Sequence, residues 1–102
     1  MAPTQLEIKT KALGRLVKEE SLYQEELKQQ DDHINFLKSN NGDEYEIKKQ
    51  IQVLDDTKKV IKEVLKKIKE SKDSLESFLE TYTGDEDLNL SKQNIANANK
   101  LF

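Results

Sequence analysis

The single histidine and its acidic neighbours are the first candidates for chemistry in this sequence. His33 directly follows Asp31 and Asp32, and Glu26 lies about two helical turns earlier. A histidine beside carboxylates can act in general acid–base catalysis, but this requires an enclosing site that shifts a pKa. Acidic residues recur throughout the surrounding segment, which is typical of a solvated helix face. We therefore interpret His33 as a surface residue.

The residue types that are missing exclude other chemistries. The chain has no cysteine, so disulfides, thiol catalysis and cysteine-ligated zinc are ruled out. Its three glycines are isolated, so no glycine-rich phosphate loop exists. With 20 acidic and 17 basic residues, the net charge of −3 argues against broad nucleic-acid binding. We expect a protein that is not an enzyme and has no cofactor or metal.

Length and hydropathy indicate how many domains the chain forms and whether it carries a membrane or signal segment. A chain of 102 residues is expected to form a single domain, residues 1–102. No apolar run is long enough for a signal peptide or a membrane span, so we expect a soluble intracellular protein with no membrane partner.

Turn residues and heptad spacing predict the elements that carry these side chains. Two turn clusters, 39–42 and 83–85, divide the chain into segments of about 5–39, 43–82 and 88–101. In the second segment, nine of eleven positions taken in alternating steps of four and three are apolar or aromatic. The pattern predicts an all-α fold, an antiparallel three-helix bundle. Two long helices would form a coiled-coil hairpin, followed by a short C-terminal helix.

Capping residues mark the expected ends of the helices. Thr4 and Glu7 have the spacing of a capping box at the start of the first helix. Gly84 suits the left-handed position after the second helix, and Asn89 or Ser91 could cap the third.

The short third helix is expected to lie beside only one end of the hairpin. It leaves from the end of the second helix, and Gly14 in the first helix is either a weak point or a place of close helix approach. The opposite end, with Ile34, Leu37, Ile47 and Ile51, would then have only two helices around it. We expect this open end either to pair with a second copy or to meet a partner.

A lysine-rich strip follows in the second helix. Seven Lys and two Glu between positions 58 and 72 give a local net charge of +5, and Glu80 and residues 85–87 form an acidic end. The strip is either a solvated helix face or a docking surface for an acidic partner, whose association would then be sensitive to salt. The lysines expected to steer such a partner are Lys58, Lys59, Lys62 and Lys66.

Several local patterns are not dictated by heptads and resemble a known family. They are LEIKTKALGRLVKEE at 6–20, Tyr23, GDEYEIKKQ at 42–50, VLDDTKK at 53–59 and LESFLETYTGDEDL at 75–88. In order and spacing they are similar to tubulin-binding cofactor A, in its fungal form, over nearly the whole chain.

The resemblance implies a three-helix bundle and a function. Members are cytosolic, cytoskeleton-associated chaperones without enzymatic activity. They capture β-tubulin released from the cytosolic chaperonin and hold it for assembly of the αβ-tubulin heterodimer, and other tubulin-folding cofactors are further candidate partners. Because tubulins are acidic, the lysine strip fits this partner. Lys62 stands where family members often have a proline, so the second helix is expected to be straighter.

Residues that match the family motif are candidate partner contacts. Tyr23 also lies on the heptad seam, where core packing is the alternative. Phe36 lies beside the seam near the open end and is either a dimer contact or a partner anchor. The motif-matching candidates are Lys9, Arg15, Lys18, Glu19 and Tyr23.

Two other functions compete with the chaperone hypothesis. A structural coiled-coil tether or oligomerisation module with no tubulin specificity would show the same long seams. A prefoldin-like holdase arm would need β-hairpins between its helices, and the turn at 39–42 offers no alternating strand pattern.

Overall fold

Three helices make up most of the computed structural model, which describes residues 2–102. Helix α1 spans Gln5–Ser39, α2 spans Glu44–Glu80 and α3 spans Asn89–Asn99. The two long helices run antiparallel and give the molecule extents of 63 × 27 × 17 Å. The predicted all-α three-helix bundle is confirmed, and the predicted segment bounds agree with the helices to within two residues.

Side-chain caps begin both long helices. The Thr4 hydroxyl accepts a hydrogen bond from the Glu7 N–H at 3.2 Å, as the capping-box spacing predicted. At the start of α2, the carboxylate of Asp43 accepts from the Tyr45 N–H at 3.2 Å. Each cap satisfies a backbone donor that has no partner within its helix.

Helix α3 begins differently from the prediction. Its first flanking residue is Leu88, which provides no side-chain cap. The Asn89 N–H donates to Oδ1 of Asp87 at 2.9 Å, and the Ser91 hydroxyl is paired with Thr10 on α1. The prediction that Asn89 or Ser91 caps this helix is therefore wrong, because Ser91 is turned into the interface between α1 and α3.

The residue with a left-handed backbone conformation is not the one that the sequence predicted. Asn41, with φ of 54°, takes the left-handed conformation in the turn between α1 and α2. No glycine within residues 2–102 has a positive φ, so the prediction for Gly84 is wrong. Gly84 is needed for space instead, because a Cβ there would collide with the hydroxyl of Tyr82.

The best-packed part of the core lies where all three helices meet. Leu13, Ile68, Leu75 and Ala98 have no exposed surface, although Ala98 comes from the short helix. Burial of these aliphatic side chains supplies the main stabilising free energy, at about 1.5–3 kcal/mol for each large one. The buried cluster consists of Leu6, Leu13, Val64, Ile68, Leu75 and Ala98.

Polar contacts fix the register of α3 on α1. The buried hydroxyls of Thr10 and Ser91 are 2.6 Å apart, and Asn94 Nδ2 donates to the Thr10 carbonyl at 2.9 Å. The backbone of Gly14 lies directly against Asn94, so this glycine marks a close helix approach, which was one of its two predicted alternatives. Helix α3 thus covers the N-terminal half of α1 and leaves the other end of the hairpin with two helices.

None of the helices formed by residues 2–102 is long and apolar enough to cross a membrane.

Candidate partner-binding faces

Three of the predicted contacts share one exposed face of α1. Arg15, Lys18 and Glu19 are all exposed, and with Leu22 their spacing is i, i+3, i+4, i+7, which places the four side chains together. Leu22 is 55% exposed, although it is large and apolar. Protein interfaces combine an apolar centre with a polar rim, so these four residues form a candidate contact surface. We call these four residues the α1 patch.

Two further apolar side chains continue the α1 patch along the helix. Ile8 is 48% exposed and Phe36 is 62% exposed, and each lies fourteen residues from Leu22. Fourteen residues are almost four helical turns, about 21 Å, so all three lie along one side of α1. The sequence analysis named Phe36 but placed it beside the seam, and this placement is wrong, because Phe36 is exposed on the side of α1 that faces away from the seam. Ile8 and Leu22 were missed, and the heptad position that they share with Phe36 is the signal that would have revealed them.

The structure gives Lys9 and Tyr23 intramolecular roles. Lys9 Nζ donates to Oγ of Ser74 at 2.8 Å and lies 5.9 Å from the centroid of the Phe78 ring. Lys9 therefore ties α1 to α2, which lowers its availability to a partner. Tyr23 is half-buried and packs against the core, in line with its seam position.

The lysines of the strip on α2 are exposed, except Lys72, whose side chain is 18% exposed. Lys59, Lys62 and Lys66 have the i, i+3, i+7 spacing of one helix face, while Lys58 borders a groove between α1 and α2. The ion pairs of the described chain both involve Lys72, with Asp73 at 3.7 Å and Glu76 at 3.5 Å. The four predicted steering lysines are therefore not neutralised by a close carboxylate.

The histidine environment gives no sign of a reactive site. His33 is exposed on α1, as expected from its charged surroundings. Within residues 2–102, no group of three or more His, Asp or Glu side chains is arranged to hold a metal ion.

The acidic end is an ordered junction between the helices. The carboxylate of Glu86 accepts from the hydroxyls of Thr4 and Tyr82, both at 3.0 Å, and the Glu86 N–H donates to the Tyr82 oxygen at 3.3 Å. Partial burial of the Tyr82 hydroxyl raises its pKa. The carboxylates of Glu86 and Asp85 add to the rise, while the Glu86 N–H opposes it. The connection from α2 to α3 is thus bound to the start of α1.

The fold and these faces define a class of protein. It is an elongated three-helix bundle whose long helices expose apolar side chains among charged ones. The family model for tubulin binding cofactor A matches residues 1–102. The chain belongs to the tubulin binding cofactor A family.

Individual relatives agree with this assignment. The tubulin-specific chaperone A of Saccharomyces cerevisiae is 51% identical over 103 residues, covering 100% of this chain and 97% of its own length. The chaperone of the same name from Mus musculus is 35% identical over 77 residues, covering 76% of this chain and 71% of its own.

Solved structures match the fold as well. The β-tubulin binding post-chaperonin cofactor Rbl2p superposes with a TM-score of 0.91 at 49% identity, covering 96% of this chain and 97% of that one. Tubulin folding cofactor A from Arabidopsis thaliana superposes with a TM-score of 0.85 at 27% identity, covering 93% and 92%. The predicted family is confirmed by sequence and by fold.

Proposed function

We propose that this protein is a tubulin-folding cofactor that captures β-tubulin released from the cytosolic chaperonin and holds it for αβ-tubulin heterodimer assembly. The observation that carries the proposal is the full-length match to the tubulin binding cofactor A family, together with the name of the matching structure, a β-tubulin binding post-chaperonin cofactor. Its place of action is the cytosol and the cytoskeleton. Other tubulin-folding cofactors are further candidate partners.

The α1 patch supplies the apolar part of the contact. Leu22 would be the central anchor, because burying an exposed leucine contributes about 1.5–3 kcal/mol. Arg15, Lys18 and Glu19 lie on the N-terminal side of Leu22 on the same face and would form the polar border of the contact there. Phe36 extends the same face toward the two-helix end.

The lysine strip supplies long-range attraction. Four unpaired ammonium groups on one helix create a positive field that draws an acidic partner and raises the association rate, and salt screens this effect. Capture is then stoichiometric: helix faces cover assembly surfaces of the tubulin monomer, and the proposal includes no nucleotide or metal.

The proposal is tested by capture of purified β-tubulin and α-tubulin on the immobilised protein. We expect selective one-to-one binding of β-tubulin, with the complex stoichiometry measured by sedimentation. Absence of binding, with a stable homo-oligomer in its place, would instead favour the coiled-coil tether.

A matched pair of substitutions locates the binding face. Leu22 on α1 and Leu90 on α3 are both 55% exposed, so Leu22→Ala and Leu90→Ala remove equal side chains with similarly small effects on stability. We expect Leu22→Ala to weaken β-tubulin binding about tenfold or more, as anchor residues do, and Leu90→Ala to leave it unchanged. If the two substitutions changed β-tubulin affinity equally, the α1 patch would not be the binding face.

A further inference from the structure

Helix α3 fills only part of the groove between α1 and α2. It runs parallel to α1 from the contact of Ser91 with Thr10 to Leu101, which lies beside Val17. Past Leu101 the groove continues toward the two-helix end as two adjoining depressions of about 540 and 380 Å³, and Gln24 lines both. The surface on which α3 docks therefore extends well beyond the end of α3.

The unfilled part of the groove has an apolar base and the length of a short helix. Val17 and Leu27 on α1 face Leu65 and Leu54 on α2 across it. From Val17 to Asp31 the groove follows fifteen residues of α1, which corresponds to about 21 Å or four helical turns. An amphipathic helix can pack an apolar stripe against such a surface, as α3 does in the adjoining part.

A buried carboxylate lies in this groove without a cationic partner. Glu20 is only 5% exposed, and its one hydrogen bond comes from Gln24 Nε2 at 2.9 Å. Lys100 lines the same depression, and Lys28, Lys58 and Asp31 line the adjoining one. The ion pairs of residues 2–102 both involve Lys72, so none of these lysines is paired with Glu20. Gln24 holds one carboxylate oxygen of Glu20, and the other can accept from a cationic side chain that enters the groove.

We propose that the groove receives a helical segment of the captured protein, which continues the line of α3 and places a lysine or arginine side chain on Glu20. The inference rests on the proposed function, in which the captured protein is β-tubulin. The aliphatic stem of the basic side chain would lie on Val17 and Leu65, while its charged group reaches the carboxylate. Glu20 thereby selects for a partner segment that is apolar on one side and carries one basic residue.

The first test replaces the carboxylate by its neutral isostere. Glu20→Gln keeps the size and the acceptor for Gln24, and we expect the helical content and thermal midpoint to be retained. Affinity for β-tubulin is expected to fall about tenfold or more, because a buried cation on the partner loses its counter-charge. Glu80→Gln, which removes an exposed carboxylate outside the groove, is the control and should bind as the unmodified chain does.

The outcomes separate this inference from the proposed function. If the unmodified protein binds no β-tubulin, the proposed function fails. If it binds and Glu20→Gln binds equally well, only the groove inference is overturned.

A fluorescence test identifies the occupant. Because the chain has no cysteine, Ser21→Cys in the groove and Ser77→Cys outside it each give a single labelling site, and both serines are exposed. With an environment-sensitive dye, we expect β-tubulin to produce a blue shift at position 21 and none at position 77. A shift at position 21 that appears on concentrating the protein alone would show that a second copy fills the groove, and would overturn the proposal.

Discussion

Asn94 on α3 occupies the space that a side chain at Gly14 on α1 would need. A Cβ at Gly14 would lie 2.9 Å from Asn94 Nδ2, the atom that donates to the Thr10 carbonyl. A glycine within a 35-residue helix lowers helix stability by about 0.5–1 kcal/mol relative to alanine. This cost is offset here by the close packing and the hydrogen bond between α1 and α3.

This relationship predicts a coupled pair of substitutions. In the Asn94→Ala background, Gly14→Ala should stabilise the protein by up to about 1 kcal/mol, because helix propensity improves and the space is free. In the unmodified background the gain should be cancelled, because the new methyl group displaces the Asn94 amide. Urea unfolding followed by circular dichroism measures the four free energies. Equal effects of Gly14→Ala in both backgrounds would contradict the packing argument.

The buried pair of Thr10 and Ser91 gives a second prediction. Thr10→Val leaves the Ser91 hydroxyl buried without its partner, so we expect a loss of about 1–3 kcal/mol in the free energy of unfolding. Adding Ser91→Ala should recover part of this loss, since no unpaired hydroxyl then remains. Ser77→Ala, at an exposed position, is the control and should change stability by less than about 0.5 kcal/mol. If the double variant lost the sum of the two single-variant losses in unfolding free energy, the two hydroxyls would not be coupled.

Alkaline titration tests the junction at Tyr82. Because partial burial and Glu86 raise the pKa of Tyr82, the folded protein favours the neutral phenol. The resulting stabilisation is fully present below the ordinary tyrosine pKa of about 10 and is lost as the pH rises through the higher value of the folded state. Tyrosinate absorbance during an alkaline titration should therefore show one tyrosine that ionises above the ordinary pKa. The substitution Tyr82→Phe should abolish this high-pH phase of the titration. Persistence of the high-pH phase in Tyr82→Phe would contradict its assignment to Tyr82.

Charge reversal tests the lysine strip. Replacing Lys58, Lys59, Lys62 and Lys66 by Glu should slow association with β-tubulin about tenfold or more at low ionic strength, and the difference should shrink as salt is added. The matched control reverses four exposed lysines elsewhere, which are Lys38, Lys48, Lys49 and Lys92. The control has the same net charge, so equal slowing in both variants would mean that overall charge, rather than the strip, governs the rate.

Much of the fold was predictable because helices are governed by local spacing. Heptad seams located both long helices, and Thr4 capped the first as its spacing with Glu7 indicated. The position of α3 followed from its short connection to α2. Cap predictions for α3 failed, because the Ser91 hydroxyl is used by Thr10, a residue 81 positions away in sequence.

The candidate faces were predictable only in part. Arg15, Lys18 and Glu19 were identified by family resemblance, and the structure places them on the same exposed face of α1 as Leu22, which was not singled out from the sequence. Lys9 was identified in the same way, yet it contacts Ser74 and Phe78 within the molecule. Local sequence does not show which long side chains reach across to a neighbouring helix.

The sequence by itself determined an all-helical chain, its three segments and its family, because apolar periodicity and motif order are properties of neighbouring residues. Only the tertiary structure decided where α3 ends along the hairpin, and hence that Glu20 lies buried beside an unfilled groove. That outcome depends on how three helices pack side by side. Whether a side chain is buried or exposed depends on distances between residues that are far apart in sequence. The spacing of residues along one helix does not determine those distances.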